Sequence, residues 1–187
     1  MRKILLIIFF IGFVAIIIGN STSSIFQSSA GLLGNSITVS TSSNTDIKLN
    51  EIMPNPEGDD AAPMPDGEWV ELYNTKDWSI DVDGWYLYDF YDTHELIISP
   101  SNVSGGSTII PAHGFLVVYR NGDPDFMLNN SEAGDIVRLY DGAIATGTQI
   151  DLYSYNEPIS GWVFVRIPDG SGSWTASSSP TPGGPNV

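Results

Sequence analysis

The chain has 187 residues, with 22 acidic and 7 basic side chains, a formal charge of −15 and no cysteine. That length fits one domain with appendages and excludes a large multidomain machine. The charge repels a phosphate backbone, so nucleic acid is not an expected partner, and the absence of thiols removes disulfide staples, thiolate zinc sites and cysteine nucleophiles, leaving His94 and His113 as the only imidazoles.

All 22 acids lie between Asp46 and Asp169, whereas residues 1–45 carry only Arg2 and Lys3 as charged groups. Those two cations and the apolar run 4–18, broken only by Gly12, give residues 1–19 the form of an export segment. As a helix the run spans roughly 22 Å, short of a hydrocarbon core of about 30 Å, although Gly19 and its flank extend it. A cleaved signal peptide and a membrane anchor retained over residues 4–19, its basic end facing the cytoplasm, both fit. Gly19-Asn20-Ser21 is a poor cleavage site, while Ser28 and Ala30 supply small residues further on. Residues 20–45 are dominated by Ser, Thr, Asn and Gly and read as a flexible linker, with the brief alternation Ile37-Thr38-Val39-Ser40 competing as an edge strand. Asn20, Asn102 and Asn129 open Asn-x-Ser/Thr triplets that permit glycosylation after export.

From Asp46 the pattern acquires period two. Strand-length runs rich in Val, Ile, Tyr and Trp occur at 47–53, 68–74, 85–90, 95–98, 114–120, 135–140, 149–155 and 162–167. Asp66-Gly67, Asp83-Gly84, Asn121-Gly122, Asp141-Gly142 and Asp169-Gly170 punctuate them with residues that accept the positive φ of tight turns. No stretch after Asp46 carries three turns of amphipathic helix. About eight short strands predict an all-β antiparallel sandwich or barrel over residues 46–187, because each sheet must bury its apolar face against another layer. Val70 and Leu72 define the expected core face of their strand, opposite Trp69, Glu71 and Tyr73. Trp85, Leu87, Ile136, Val137, Leu139, Val163 and Val165 are further core candidates.

Glu51 and Glu71 stand inside otherwise apolar strands, where burial without a partner costs several kcal/mol, so they must face solvent or meet backbone donors, a metal or Arg166. Asn50, Asn55 and Asn74 are placed to fix turns through side-chain amides. Hard cations such as Ca²⁺ take carboxylate and carbonyl oxygens from flexible loops, which makes Asp59, Asp60, Asp66 and Glu68 candidate calcium ligands if their loop folds back on itself. The spacing is not that of an EF-hand, and a solvated turn-forming loop is the competing reading. His94 and His113 have no nucleophile elbow or zinc-binding helix beside them and read as loop histidines.

The run from Ile47 to Pro56 (IKLNEIMPNP), the run from Gly67 to Asn74 (GEWVELYN) and Val82-Asp83-Gly84-Trp85 together resemble the lamin tail domain. Further motifs follow in order: 110–118 (IPAHGFLVV), 135–141 (DIVRLYD), Arg166-Ile167-Pro168-Asp169-Gly170, Trp174, and the closing 180–186 (PTPGGPN). The resemblance covers about residues 46–186 and implies an immunoglobulin-like β-sandwich. The chain lacks a heptad rod and starts with an export segment, so it is similar to a prokaryotic secreted or surface version; filament assembly and chromatin binding are not carried over. The expected role is a non-catalytic binding, adhesion or structural module at the cell surface, tethered through its first segment, with a surface protein or an envelope polymer as partner. Two alternatives stand beside it: a carbohydrate-binding module using exposed Trp78 and Trp162, and a metal-assisted hydrolase, which the scarcity of histidines disfavours.

Overall fold

The computed structural model describes residues 46–187; the export segment, the linker and the competing strand at 37–40 lie outside the described residues. The strands are β1 (Ile47–Met53), β2 (Trp69–Asn74), β3 (Ile80–Asp81), β4 (Tyr86–Tyr88), β5 (Glu95–Ile97), β6 (Ile109–Ile110), β7 (Phe115–Tyr119), β8 (Asp135–Tyr140), β9 (Gln149–Tyr155), β10 (Val163–Ile167) and β11 (Ser173–Ser177), with one 3₁₀ turn at Ser104–Gly106. A five-stranded sheet runs β11-β10-β1-β2-β7, a four-stranded sheet runs β5-β4-β8-β9, and β3 and β6 form a small ribbon. Every pairing is antiparallel. This is the all-β immunoglobulin-like sandwich expected above.

The core lies between the two larger sheets. Ile47, Leu49, Ile52, Val70 and Leu72 enter it from one side, and Leu87, Leu96, Val137, Leu139 and Ile150 from the other, with Trp85 and Phe126 closing its ends. Each such side chain, once removed from water, contributes roughly 1.5–3 kcal/mol, which lets the domain dispense with disulfides. Val70 and Leu72 are fully buried as their alternation predicts. Ile136 is only half-buried and lies outside the core, because its neighbours Val137 and Leu139 take the inward positions of β8.

A register shift in β1 between Leu49 and Glu51 makes Asn50 an extra residue opposite β2. The bulge reverses the alternation, so Ile47 and Leu49 point inward, then Ile52, and Glu51 is turned to the outer face directly opposite Glu71. Around this pair the outer face carries a second buried cluster of Met53, Trp69, Val117, Tyr119, Val163 and Val165. Val163 and Val165 are therefore buried as expected, but on the far side of the sheet from the main core.

The strand predicted at 85–90 ends at Tyr88. The Asp89 carboxylate accepts the N–H of Tyr91, which turns the chain before Phe90 can continue the ladder. Strands β3, β6 and β11 have no counterpart among the predicted runs, since two residues carry no period and Ser173–Ser177 is polar. Gly67, Gly84, Gly122 and Gly170 adopt φ between 66° and 79°, as their turns require, whereas Gly142 does not take a positive φ.

Candidate functional site

Three clusters of chemically active side chains stand out. The first contains the candidate calcium ligands, whose loop folds back so that the Glu68 N–H donates to the Asp60 carbonyl at 2.9 Å, while the carboxylates of Asp59, Asp60 and Glu68 find partners within the protein. Asp59 caps its own turn, with Oδ1 accepting the N–H of Ala61 at 3.0 Å. Asp60 accepts from Asn130 Nδ2 at 2.8 Å, and Asp66 is exposed at a turn closed by its N–H to Pro63 O. Glu68 is fully buried, paired with Arg120 Nη1 at 3.1 Å and with the N–H of Leu128 at 3.2 Å. Burial pushes the Glu68 carboxyl up to about 8 against the pull of Arg120. Among the described residues no three His, Asp or Glu side chains are grouped to hold a metal ion. Glu68 instead spans two loops, tying 120–128 to the start of β2.

The second cluster lies on the outer face of the five-stranded sheet, where the residues from Thr181 to Asn186 cross as a strap. Glu51 accepts the N–H of Thr181 at 2.9 Å and its hydroxyl at 3.0 Å. Glu71 accepts the N–H of Gly183 at 2.6 Å and Asn50 Nδ2 at 3.0 Å. Asn50 also donates to Asp169 at 2.9 Å and accepts the N–H of Gly170. Asn186 completes the clasp, donating from its amide to the carbonyls of Asn50 and Arg166 and from its backbone to Asp169. Burial, reinforced by the Glu51 and Asp169 carboxylates, pushes Glu71 up to about 8 against its two donors; burial also raises Glu51. Of the partners open to Glu51 and Glu71, the fold thus supplies donors from the chain's own end, while Arg166 pairs with Asp151 at 3.1 Å. Asn74 fixes a turn as expected, donating to the carbonyls of Trp78, Ile110 and Pro111.

The third cluster was not legible as a site. The loop between β4 and β5 and the loop between β7 and β8 present Phe90, Tyr91 and Met127 to solvent at 67%, 57% and 51% exposure. Buried Asp89 holds both loops, with Oδ2 accepting from His94 Nδ1 at 2.9 Å and from the N–H of Met127 at 3.2 Å. The signal available in the sequence was the Tyr88-Asp89-Phe90-Tyr91-Asp92 run, in which two aromatic residues are bracketed by turn-forming acids and cannot both continue a strand.

Trp78 and Trp162 lie at opposite ends of the five-stranded sheet. Trp78 follows the end of β2 that pairs with Ile47, while Trp162 precedes β10, whose Phe164 pairs with Ile52, so roughly 17 Å of strand separates them. Trp174 is packed on Tyr153 at 4.0 Å with the Arg166 guanidinium 4.9 Å from its ring. His113 is a loop residue paired with Asp77 at 2.7 Å. Of the glycosylation triplets, Asn102 is buried with its amide donating to Ile97 O, Asn129 is exposed, and Asn20 lies outside the described residues.

A family model described as Lamin Tail Domain matches residues 40–157. Comparison with curated proteins and with solved structures gave no match.

Proposed function

The chain belongs to the lamin tail domain family, and from that premise we propose that it is an exported, membrane-tethered, non-catalytic module that binds a protein or polymer partner at the cell surface. The immunoglobulin-like sandwich itself supports a non-catalytic module. The observation that carries the reading is how the buried acids are used. Glu51, Glu68, Glu71 and Asp89 each accept hydrogen bonds from within the domain, and the buried side-chain atoms lacking a partner among the described residues are Asn130 Oδ1 and Arg166 Nε. Acid–base chemistry needs a carboxyl facing a cleft where substrate can reach it; these carboxyls face the protein's own backbone. Export is supported by Arg2, Lys3 and the apolar run 4–18, and by an acid-rich surface that resists aggregation.

External protease added to intact cells expressing the full chain tests this reading. The module should be released or degraded without lysis, and protection of the whole chain until the cells are broken would overturn it.

A further inference from the structure

We propose that the tip formed by Phe90, Tyr91 and Met127 is a docking surface for a lysine- or arginine-bearing segment of a partner protein. The proposal rests on the binding-module reading above and gives it a place and a chemistry. Large apolar side chains exposed singly need no explanation, but here three stand on two loops that the Asp89 carboxylate ties together.

Their exposure does not come from a loose backbone. Asp89, only 1% exposed, accepts the N–H groups of Tyr91 and Met127, and Asp135 accepts those of Phe90 at 3.0 Å and Asn129 at 2.9 Å. The Arg138 guanidinium adds two bonds to the carbonyl of Asp89, at 2.7 and 3.0 Å. The ordering cost of the tip therefore falls in folding rather than in binding, the arrangement that favours recognition.

The ring geometry disfavours a coplanar two-ring sugar platform. Phe90 and Tyr91 stand edge to face, 5.2 Å apart at 88°. A sugar ring stacks on a flat platform, and two perpendicular rings do not provide one. Tyr91 also packs against the His94 ring at 4.8 Å, and the ring surface that stays exposed on Phe90 and Tyr91 is open to a cationic group.

Charge points the same way. Asp123, Asp125 and Glu132 on the longer loop have no salt-bridge partner among the described residues, and the two loops carry no lysine; Asp89 is buried and Asp92 is taken by Arg138. Their flanking arginines are engaged, Arg120 by Glu68 and Arg138 by Asp92. Close to the tip in sequence, Glu95, Asp123 and Asp125 line a shallow groove of about 450 Å³ together with Ile97 and Asn102, with Arg120 turned into its pair with Glu68. An extended basic segment can rest its aliphatic stems on Phe90, Tyr91 and Met127 while its charges meet these acids.

Titration calorimetry of the full chain in nonionic detergent tests this, with an octalysine peptide as the probe and an octaglutamine peptide as the uncharged control. Octalysine should bind and octaglutamine should not. The double variant Phe90→Ala/Tyr91→Ala should lose at least five-fold in octalysine affinity with an unchanged melting curve. Met127→Ala, which keeps the N–H bonded to Asp89, should lose about two-fold. Trp78→Ala, an exposed aromatic on another loop, should leave affinity unchanged. Equal octalysine binding by the wild type and both tip variants would reduce the effect to bulk charge and overturn the proposal. So would absent octalysine binding, equal octaglutamine binding, or binding of neutral cellohexaose with octalysine inert. The result does not depend on where the chain resides, so it can fail while surface proteolysis succeeds, and the reverse.

Discussion

Gly170 and the Glu68–Arg120 pair show how single residues hold this domain. Gly170 adopts a φ of +66°, and a Cβ there would sit 2.5 Å from Tyr73 Cδ1. Gly170→Ala therefore combines backbone strain with a clash and should cost about 1–3 kcal/mol, read as a lower midpoint in urea. The Glu68–Arg120 pair is dry on both sides, with side-chain exposures of 0% and 9%. At about pH 9, where Glu68 is ionised, Arg120→Ala strands a buried carboxylate and should destabilise by roughly 3–5 kcal/mol, a loss that shrinks below about pH 8 as the carboxyl takes up a proton. The double replacement Glu68→Leu/Arg120→Met should recover most of that loss. A double-mutant cycle in denaturant separates the two: a double variant as unstable as Arg120→Ala would mean that the pair's packing, not its charge, matters.

At the scale of elements, the C-terminal strap is the least local part of the fold. Removal of residues 180–187 leaves Glu51 and Glu71 facing each other without their tail donors. The truncated chain should melt well below the intact one, and Asn186→Ala alone should cost about 2 kcal/mol because the two bonds its side-chain amide donates to the carbonyls of Asn50 and Arg166 are lost while its backbone N–H stays on Asp169. A truncation with unchanged thermal midpoint would show the strap to be ornamental. The same contrast explains what could be read beforehand. Strands 47–53, 135–140 and 149–155 were legible to the residue, because alternating side chains and flanking turns are local signals. The polar β11 is positioned through Trp174 on Tyr153, a contact that no window around it contains. The buried location of Glu51 raised the right question, but its answer, Thr181, lies 130 residues away. The aromatic tip was hidden for another reason: Phe90 resembles a strand residue until the Asp89 side chain captures the backbone.

For the whole molecule, the resolved shifts of the carboxyl groups all run upward, with burial first among their causes. Glu68 and Glu71 titrate near 8 when folded, against an ordinary value of 4.5. Between those values the folded state binds more protons than the unfolded one, so the stability they contribute is complete below about 4.5 and is lost as pH rises through 8. The formal charge of −15 adds self-repulsion in the same direction. Calorimetric scans should give a higher Tm at pH 5.5 than at pH 8.5, and added salt should narrow the gap; a Tm that climbs with pH would refute this account of the buried acids. The strap also has a bearing on biogenesis. A ribosome delivers Glu51 and Glu71 long before it delivers Thr181 and Gly183, so the nascent polypeptide cannot lock its outer layer until residue 183 has emerged. A ribosome stalled short of Thr181 therefore holds a sheet whose paired glutamates lack their strap donors, and release of the strap is what closes them.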